Sequence, residues 1–451
     1  MKARAGRPGT PAEKDQKAPT AAPYHVGTLV YSRGDLQRLF FWLLLGDFAS
    51  NVMGAALPTL LPLQLSARGV SAATIGWVLS LAPLATIIFS PFLGVWSDRL
   101  RTRWGRRRPF LIVSTPIVAA GMLLLPHIQN MLLLQVVVTV VQIANVLQTI
   151  LLYLYADIMP PSLMGRFMGG FSFVGALGTM AFQYFLVPWF GTAPTMVWTI
   201  CAIFYFVLFQ LSVHNVREGQ YPAPEPTRRS HILRGYLKDG AGSWYIWCLW
   251  AALGMNALAG PAGLYYNLLC RDQLGMSMRA IGMMNTVATI PRLFVMLPGG
   301  WLIDRFGPRK LWGLFSLLSG GVTLGAWFWV RGSGAMLLYM LLSGALGAFT
   351  SVALMPMLYA HLPKDKFGQL VSMQSVVMFT LIFLSTNAVG QLITLRHGDY
   401  FITFLYGGPI MMLTPIFILL LARAKNPFAG MATALARDEG VPVREGGFDH
   451  N

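Results

Sequence analysis

Charge and cysteine are both scarce in this sequence, and each scarcity removes a class of protein. Charged residues make up 11% of 451 positions, where a soluble domain carries about 25%, so the chain has too little polar surface to stay dispersed in water. Cys201, Cys248 and Cys270 are the three cysteines and lie far apart, which suits packing residues and excludes a disulfide or metal framework. Whole stretches lack charge: no Asp, Glu, Lys or Arg falls between Gly69 and Ser97, Pro109 and Ala156, or Phe167 and Val216. At about 1.5 Å rise per residue, the first run holds one crossing of a hydrocarbon core about 30 Å thick and each of the others holds two.

What is present in place of charge is apolar sequence, 55% of the chain. It falls into segments near 39–62, 72–96, 110–128, 132–154, 167–187 and 194–213, then 244–268, 280–303, 311–330, 335–360, 370–392 and 401–422. This predicts an all-α polytopic membrane protein with twelve transmembrane helices. A barrel would alternate apolar and polar residues, whereas Leu81–Leu93 and Met411–Leu421 are largely apolar with no period of two.

Basic residues set the expected orientation. Seventeen lie in the even-numbered connections and only Arg68, Arg271, Arg279, Arg331 and Arg396 in the opposite ones, which puts both termini in the cytoplasm of a multi-pass plasma-membrane protein, or an inner-membrane protein in a bacterium. The net charge of +17 is then a topology signal, with the lipid bilayer as partner and no nucleic acid. The expected division is a disordered cytoplasmic tail at 1–35 without the apolar core of a signal peptide, six-helix bundles at 36–213 and 241–422, a cytoplasmic linker at 214–240 and a second tail at 423–451.

An internal repeat supports the two halves. Gly94-Val95-Trp96-Ser97-Asp98-Arg99 and Gly300-Trp301-Leu302-Ile303-Asp304-Arg305 are offset by 206 residues, and Tyr155-Ala156-Asp157 and Tyr359-Ala360-His361 by 204. Two landmarks in one order at nearly one offset point to a duplicated six-helix unit.

On these residues the chain resembles the major facilitator superfamily. Its signature stands here as Gly94, Asp98, Arg99, Gly105, Arg106 and Arg107, with a second copy in Gly300, Asp304, Arg305, Gly307, Arg309 and Lys310. More narrowly, Ser97-Asp98-Arg99 followed by Gly105-Arg106-Arg107-Arg108-Pro109, with Asn145, Asp157, Arg166 and Phe171-Ser172, is similar to the proton-coupled sucrose and related sugar transporters. The first span and the second half resemble them only generically. The resemblance implies secondary active transport of a small molecule, a neutral sugar such as a disaccharide or glucoside, by symport with H+ and with no other cofactor. Gly94, Asp98, Arg99, Gly105, Arg106, Arg166, Gly300, Asp304 and Arg305 would form the conformational gate. A sodium-coupled or uncoupled transporter, or an exporter, of another small solute has nearly the same sequence features. Nothing points to an enzyme or a metal site, and a monomer suffices for this mechanism.

Interior polar residues supply the candidate site. Asp47 lies inside span one and Arg292 about 18 Å up span eight from Asp304, and a lone charge at that depth must face the bundle interior or a water-filled cavity. Asp47 suits a proton carrier, with Asp157 the next candidate, although a fixed carboxylate beside an Arg fits Asp47 too. Arg292 suits a sugar hydroxyl donor, an internal countercharge or a structural ion pair. Asn51, Gln142, Asn145, Asn256, Asn285 and Gln374 can bind hydroxyls or join helices, and Tyr265, like Trp77, Tyr153 and Tyr266, offers a ring to the apolar face of a sugar. Gly165, Gly169, Gly170 and Gly178 read as close helix packing and not as a phosphate cradle.

Overall fold

The computed structural model describes residues 24–26, 28–219, 243–363 and 367–425. The expected tail up to residue 23, most of the linker, and the tail from residue 426 lie outside the described residues. Residues 24–35 differ from the expected tail. Tyr24–Val26 (β1) and Leu29–Tyr31 (β2) pair as an antiparallel hairpin, and Ser32 and Asp35 cap each other's backbone amides to start helix α1 at Arg33–Ala67.

The remaining helices are α2 (Ala72–Arg99), α3 (Arg108–Leu124), α4 (Met131–Gln148), α5 (Ile150–Ile158), α6 (Met164–Ala181) and α7 (Pro194–Asn215). They continue with α8 (Trp244–Ala259), α9 (Met278–Phe306), α10 (Pro308–Trp329), α11 (Ser333–His361), α12 (Phe367–Leu395), α13 (Ile402–Met412) and α14 (Thr414–Arg423). Among the described residues nine helical stretches are long and apolar enough to cross a membrane, ten if α9, bent by 46°, counts as one. Arg108–Leu124 is a shorter apolar helix.

Breaks inside the stretches have local causes. Pro188 follows α6, which ends in a π turn at Phe182–Leu186 and a 3-10 turn at Val187–Trp189. Gly260 and Pro261 turn α8 into a 3-10 segment that ends in a π turn at Leu269–Gln273. Pro415 cannot donate back to α13, so the chain restarts as α14.

Two groups of helices share one scheme of neighbours. In the first, α1 packs on α6 and α7, α3 on α4 and α7, and α2 on α4; in the second, α8 packs on α12 and α13–α14, α10 on α11 and α13, and α9 on α11. The duplication extends to the caps, since Ser71 accepts from Thr74 N at the start of α2 and Ser277, 206 positions on, from Ala280 N at the start of α9. The groups meet along reciprocal seams, α2 against α12 and the end of α6 against α9. One apolar core fills the first group and reaches across the seam, and a smaller one around Trp250, Ile246 and Met357 lies within the second.

Candidate functional site

The position of Asp47 follows from the small residues around it. A side-chain carbon on Gly46 would overlap Ser212 Oγ, which itself donates to Trp42 O at 2.6 Å, so α7 lies flush against α1. On the other side a carbon on Gly178 would come within 2.6 Å of Phe48 O, and one on Gly175 within 2.8 Å of Asn51 Nδ2. Two tight seams therefore leave Asp47 2% exposed. Asn51 donates to Asp47 Oδ1 at 2.9 Å, and Oδ2 has no hydrogen-bond partner among the described residues. Tyr155, packed edge-on between Phe167 and Phe171, is an electrostatic neighbour of Asp47, and its hydroxyl also lacks a partner.

Two cavities flank α1. One, of about 230 Å³, is lined by Asn51, Phe171, Ser172, Thr179, Thr289 and Arg292, so the residue that holds Asp47 shares a wall with the arginine of α9. Arg292 is exposed and makes no hydrogen bond or ion pair with described residues. The other, of about 390 Å³, has Gln142, Asn145 and Gln148 on one side and Gly54, Leu57, Pro58, Leu79 and Leu264 on the other. Asn145 donates to Gln142 at 3.1 Å, while Asn145 Oδ1 and Gln148 Nε2 are buried without partners. Spare polar atoms on an apolar-walled cavity are the chemistry that receives a polar neutral solute.

Several candidates serve elsewhere in this state. Tyr265 donates to Ala72 O at 3.2 Å across the seam, and Asn285 donates to Gln183 at 3.1 Å and to Asn267 at 3.0 Å. Asn256 donates to Ser316 within the second group, Gln374 is buried in α12, and Tyr266 pairs with Tyr339. Trp77 meets Phe383 edge-on between α2 and α12, and Tyr153 lies beneath Arg107.

The groups are sealed at the end away from the basic loops. A carbon on Gly76 would come within 2.8 Å of Thr386 O and 3.3 Å of Gly390 Cα, and Ala73 N donates to Thr394 Oγ1 at 2.9 Å. Arg271 reaches over to Leu63 O at 3.0 Å and Ser66 Oγ at 2.7 Å. Six hydrogen bonds join the groups at this end. Arg271 appeared in the sequence only as a topology charge; its adjacent Asp272 was the available signal.

At the other end the loop between α2 and α3 is fastened to its own group. Asp157 is held by Arg106 at 2.6 Å and Arg107 at 2.9 Å. Glu218, its side chain fully buried, accepts from Arg107 N at 3.0 Å and Arg108 N at 3.3 Å and so caps α3. Gly105 adopts φ +104° directly over that carboxylate, leaving no room for a side chain. Residues 214–219, the start of the expected linker, are thus fastened to the first group; a single Glu after an apolar run was the available signal. The surroundings of Gly94 and the side chains of Asp98 and Arg166 lie outside what the structure describes, and Arg99 is exposed at the end of α2.

The second copy is looser. Asp304 and Arg305 are exposed, Arg305 rests on Trp301 and Phe306, and Gly300 has open space where a side chain would sit. His361 stands where the first copy has Asp157; it faces Met357 O and stacks near Tyr245.

Two groups with one packing scheme, sealed against each other at one end, with polar cavities near the middle and a loop of the same pattern on each, define a secondary transporter that moves a small solute by alternating access. The model of the Major Facilitator Superfamily matches residues 39–277 and 247–445. The chain belongs to that superfamily, and is a multi-pass protein of the plasma or inner membrane that transports and does not catalyse. Its fold is similar to the crystal structure of a mutant of the nucleoside transporter NupG, with a TM-score of 0.72 at 14% identity over 85% of this chain and 99% of that one. The sucrose transport protein SUC3 of Arabidopsis thaliana is 28% identical over 67 residues, 15% of this chain and 11% of that protein. The sucrose transport protein SUT1 of Oryza sativa subsp. japonica is 29% identical over 108 residues, 24% of this chain and 18% of that protein. The chain thus matches less than a fifth of the length of either relative.

Proposed function

We propose that this chain is a proton-coupled symporter of a neutral sugar, a disaccharide or glucoside, and works as a monomer. Twelve spans form two six-helix bundles, with the broken segments of α4–α5, α6, α8, α9 and α13–α14 each crossing once and both termini and the linker in the cytoplasm. The observation that carries the reading is Asp47: a carboxylate sealed inside α1, with one oxygen held by Asn51 and the other unpaired. A buried carboxylate with an open oxygen can take up a proton and release it when its surroundings change. Asn51 gives it a direct link to the cavity that also holds Arg292.

In this account sugar hydroxyls meet Gln142 and Asn145 in one cavity and Arg292 in the other. Tyr265 and Asn285 act at the outer closure and reach cargo when the seam opens. Asp157, gripped by two arginines, anchors the gate with Arg106 and Gly105 and leaves proton transfer to Asp47, while Asp98, Arg166, Asp304 and Arg305 exchange partners between states. The partial likeness to two sucrose transport proteins supports the cargo class.

Counterflow of labelled sucrose, maltose and a phenyl glucoside in proteoliposomes tests the cargo. Saturable exchange of one of them under a pH gradient is the expected result. Exchange driven only by sodium, or of a non-sugar solute alone, would replace the reading with a different transporter of the same fold.

A further inference from the structure

Beside the gate lies a third cavity, away from the two that flank α1. It has a volume of about 520 Å³ and is lined by Arg101, Arg103, Arg106, Arg108 and Arg217, with Trp104 and Glu218. Five arginines and one carboxylate residue thus line its walls. That carboxylate is already occupied, because Glu218 accepts from the amides of Arg107 and Arg108. Arg108 spends two donors on Val213 O and His214 O, and Arg106 leans on Asp157. Arg103 lies over the Trp104 ring at 5.1 Å and makes no hydrogen bond or ion pair with described residues, and Arg217, which makes neither, has Asp35 as an electrostatic neighbour.

The placement of these groups suits a particular ligand. Guanidinium forks match the paired oxygens of a phosphate group, and several of them around a concave site bind it far more firmly than a flat basic surface does. Trp104 is 47% exposed at the end of the spans, where an indole sits at headgroup depth.

We propose that this cavity binds a phosphate-bearing anion, the headgroup of an anionic phospholipid or a soluble phosphate compound. Because Arg106 and Gly105 belong to both the cavity wall and the gate, an occupant bears directly on the loop that must move between states. The inference does not depend on which solute is carried or on proton coupling.

The test uses the full chain purified in neutral detergent, with unfolding temperature followed as dioleoyl phosphatidylglycerol, dioleoyl phosphatidylcholine or inorganic phosphate is added at ionic strength held constant with chloride. Phosphatidylglycerol should raise the unfolding temperature beyond phosphatidylcholine. The pair Arg103→Gln with Arg217→Gln should need roughly thirtyfold more phosphatidylglycerol for the same rise, from about fivefold per basic group. The pair Arg103→Lys with Arg217→Lys, which keeps the charge but loses the paired donors, should fall between wild type and the glutamine pair. An equal rise with inorganic phosphate, lost in the glutamine pair, would support the site and assign it to soluble phosphate compounds. If wild type and the glutamine pair respond alike to both anions, or if the lysine and glutamine pairs lose the response equally, the proposal is overturned.

Discussion

Asn51 donates its side-chain amide to Asp47 Oδ1 at 2.9 Å, one turn further along α1, and faces a cavity shared with Arg292. The pair links a buried carboxylate to a residue of the cavity wall. Gly175 makes this possible, since any larger residue there would displace the Asn51 amide. Packing of α6 on α1 and access to Asp47 are therefore one structural fact.

The two signature glycines should respond in opposite ways to alanine. Gly105→Ala meets both a positive φ and the Glu218 carboxylate, and should cost about 1–3 kcal/mol, seen as a lowered unfolding temperature and slower transport. Gly300→Ala sits in a helix with open space around it and should be neutral or stabilise by up to about 1 kcal/mol. Thermal unfolding of the two variants side by side checks the asymmetry between the loops; equal effects would contradict it.

The seam should open when its contacts are removed. Arg271→Ala deletes charge-assisted bonds to Leu63 O and Ser66 Oγ, each of the class that contributes about 1.5–3 kcal/mol, and should shift the population roughly tenfold or more toward the state open at that end. Gly76→Val should go further and prevent closure, because Thr386 O and Gly390 leave it no space. Thiol labelling at an introduced Ala73→Cys should accelerate in both backgrounds. Unchanged labelling with Gly76→Val would show that the α2 to α12 contact is not the seal.

How much of this was legible beforehand depended on whether the cause was local. The helices coincide with the apolar segments because charge-free runs are a property of the chain itself. Gln142, Asn145 and Gln148 reached one cavity because a spacing of three keeps residues near one helix face. Tyr265 and Asn285 could not be placed at the seam in the same way, since their partners Ala72 and Gln183 lie in the other group. Glu218 reads as linker until a contact 111 positions away shows it capping α3. Asp157 looked like a spare carboxylate for the same reason: its arginines come from a loop about fifty positions earlier.

Cargo affinity should depend on the α4 pair more than stability does. Gln142→Ala and Asn145→Ala each remove hydrogen-bonding groups from a cavity wall, and at about 0.5–1.5 kcal/mol per bond each should weaken sugar binding about two- to tenfold. Isothermal titration beside thermal unfolding separates the effects. A fall in unfolding temperature with unchanged affinity would make the pair a helix-packing contact.

If Asp47 carries the coupling proton, removing proton exchange at its carboxyl group for good should uncouple transport. Asp47→Asn keeps the size of the side chain and its neutral form but cannot release a proton. Measured in the same proteoliposomes, the variant should lose uphill sugar accumulation under an inward pH gradient while retaining sugar exchange across equal pH. Full pH-driven accumulation by Asp47→Asn would contradict the account and move the proton to another group.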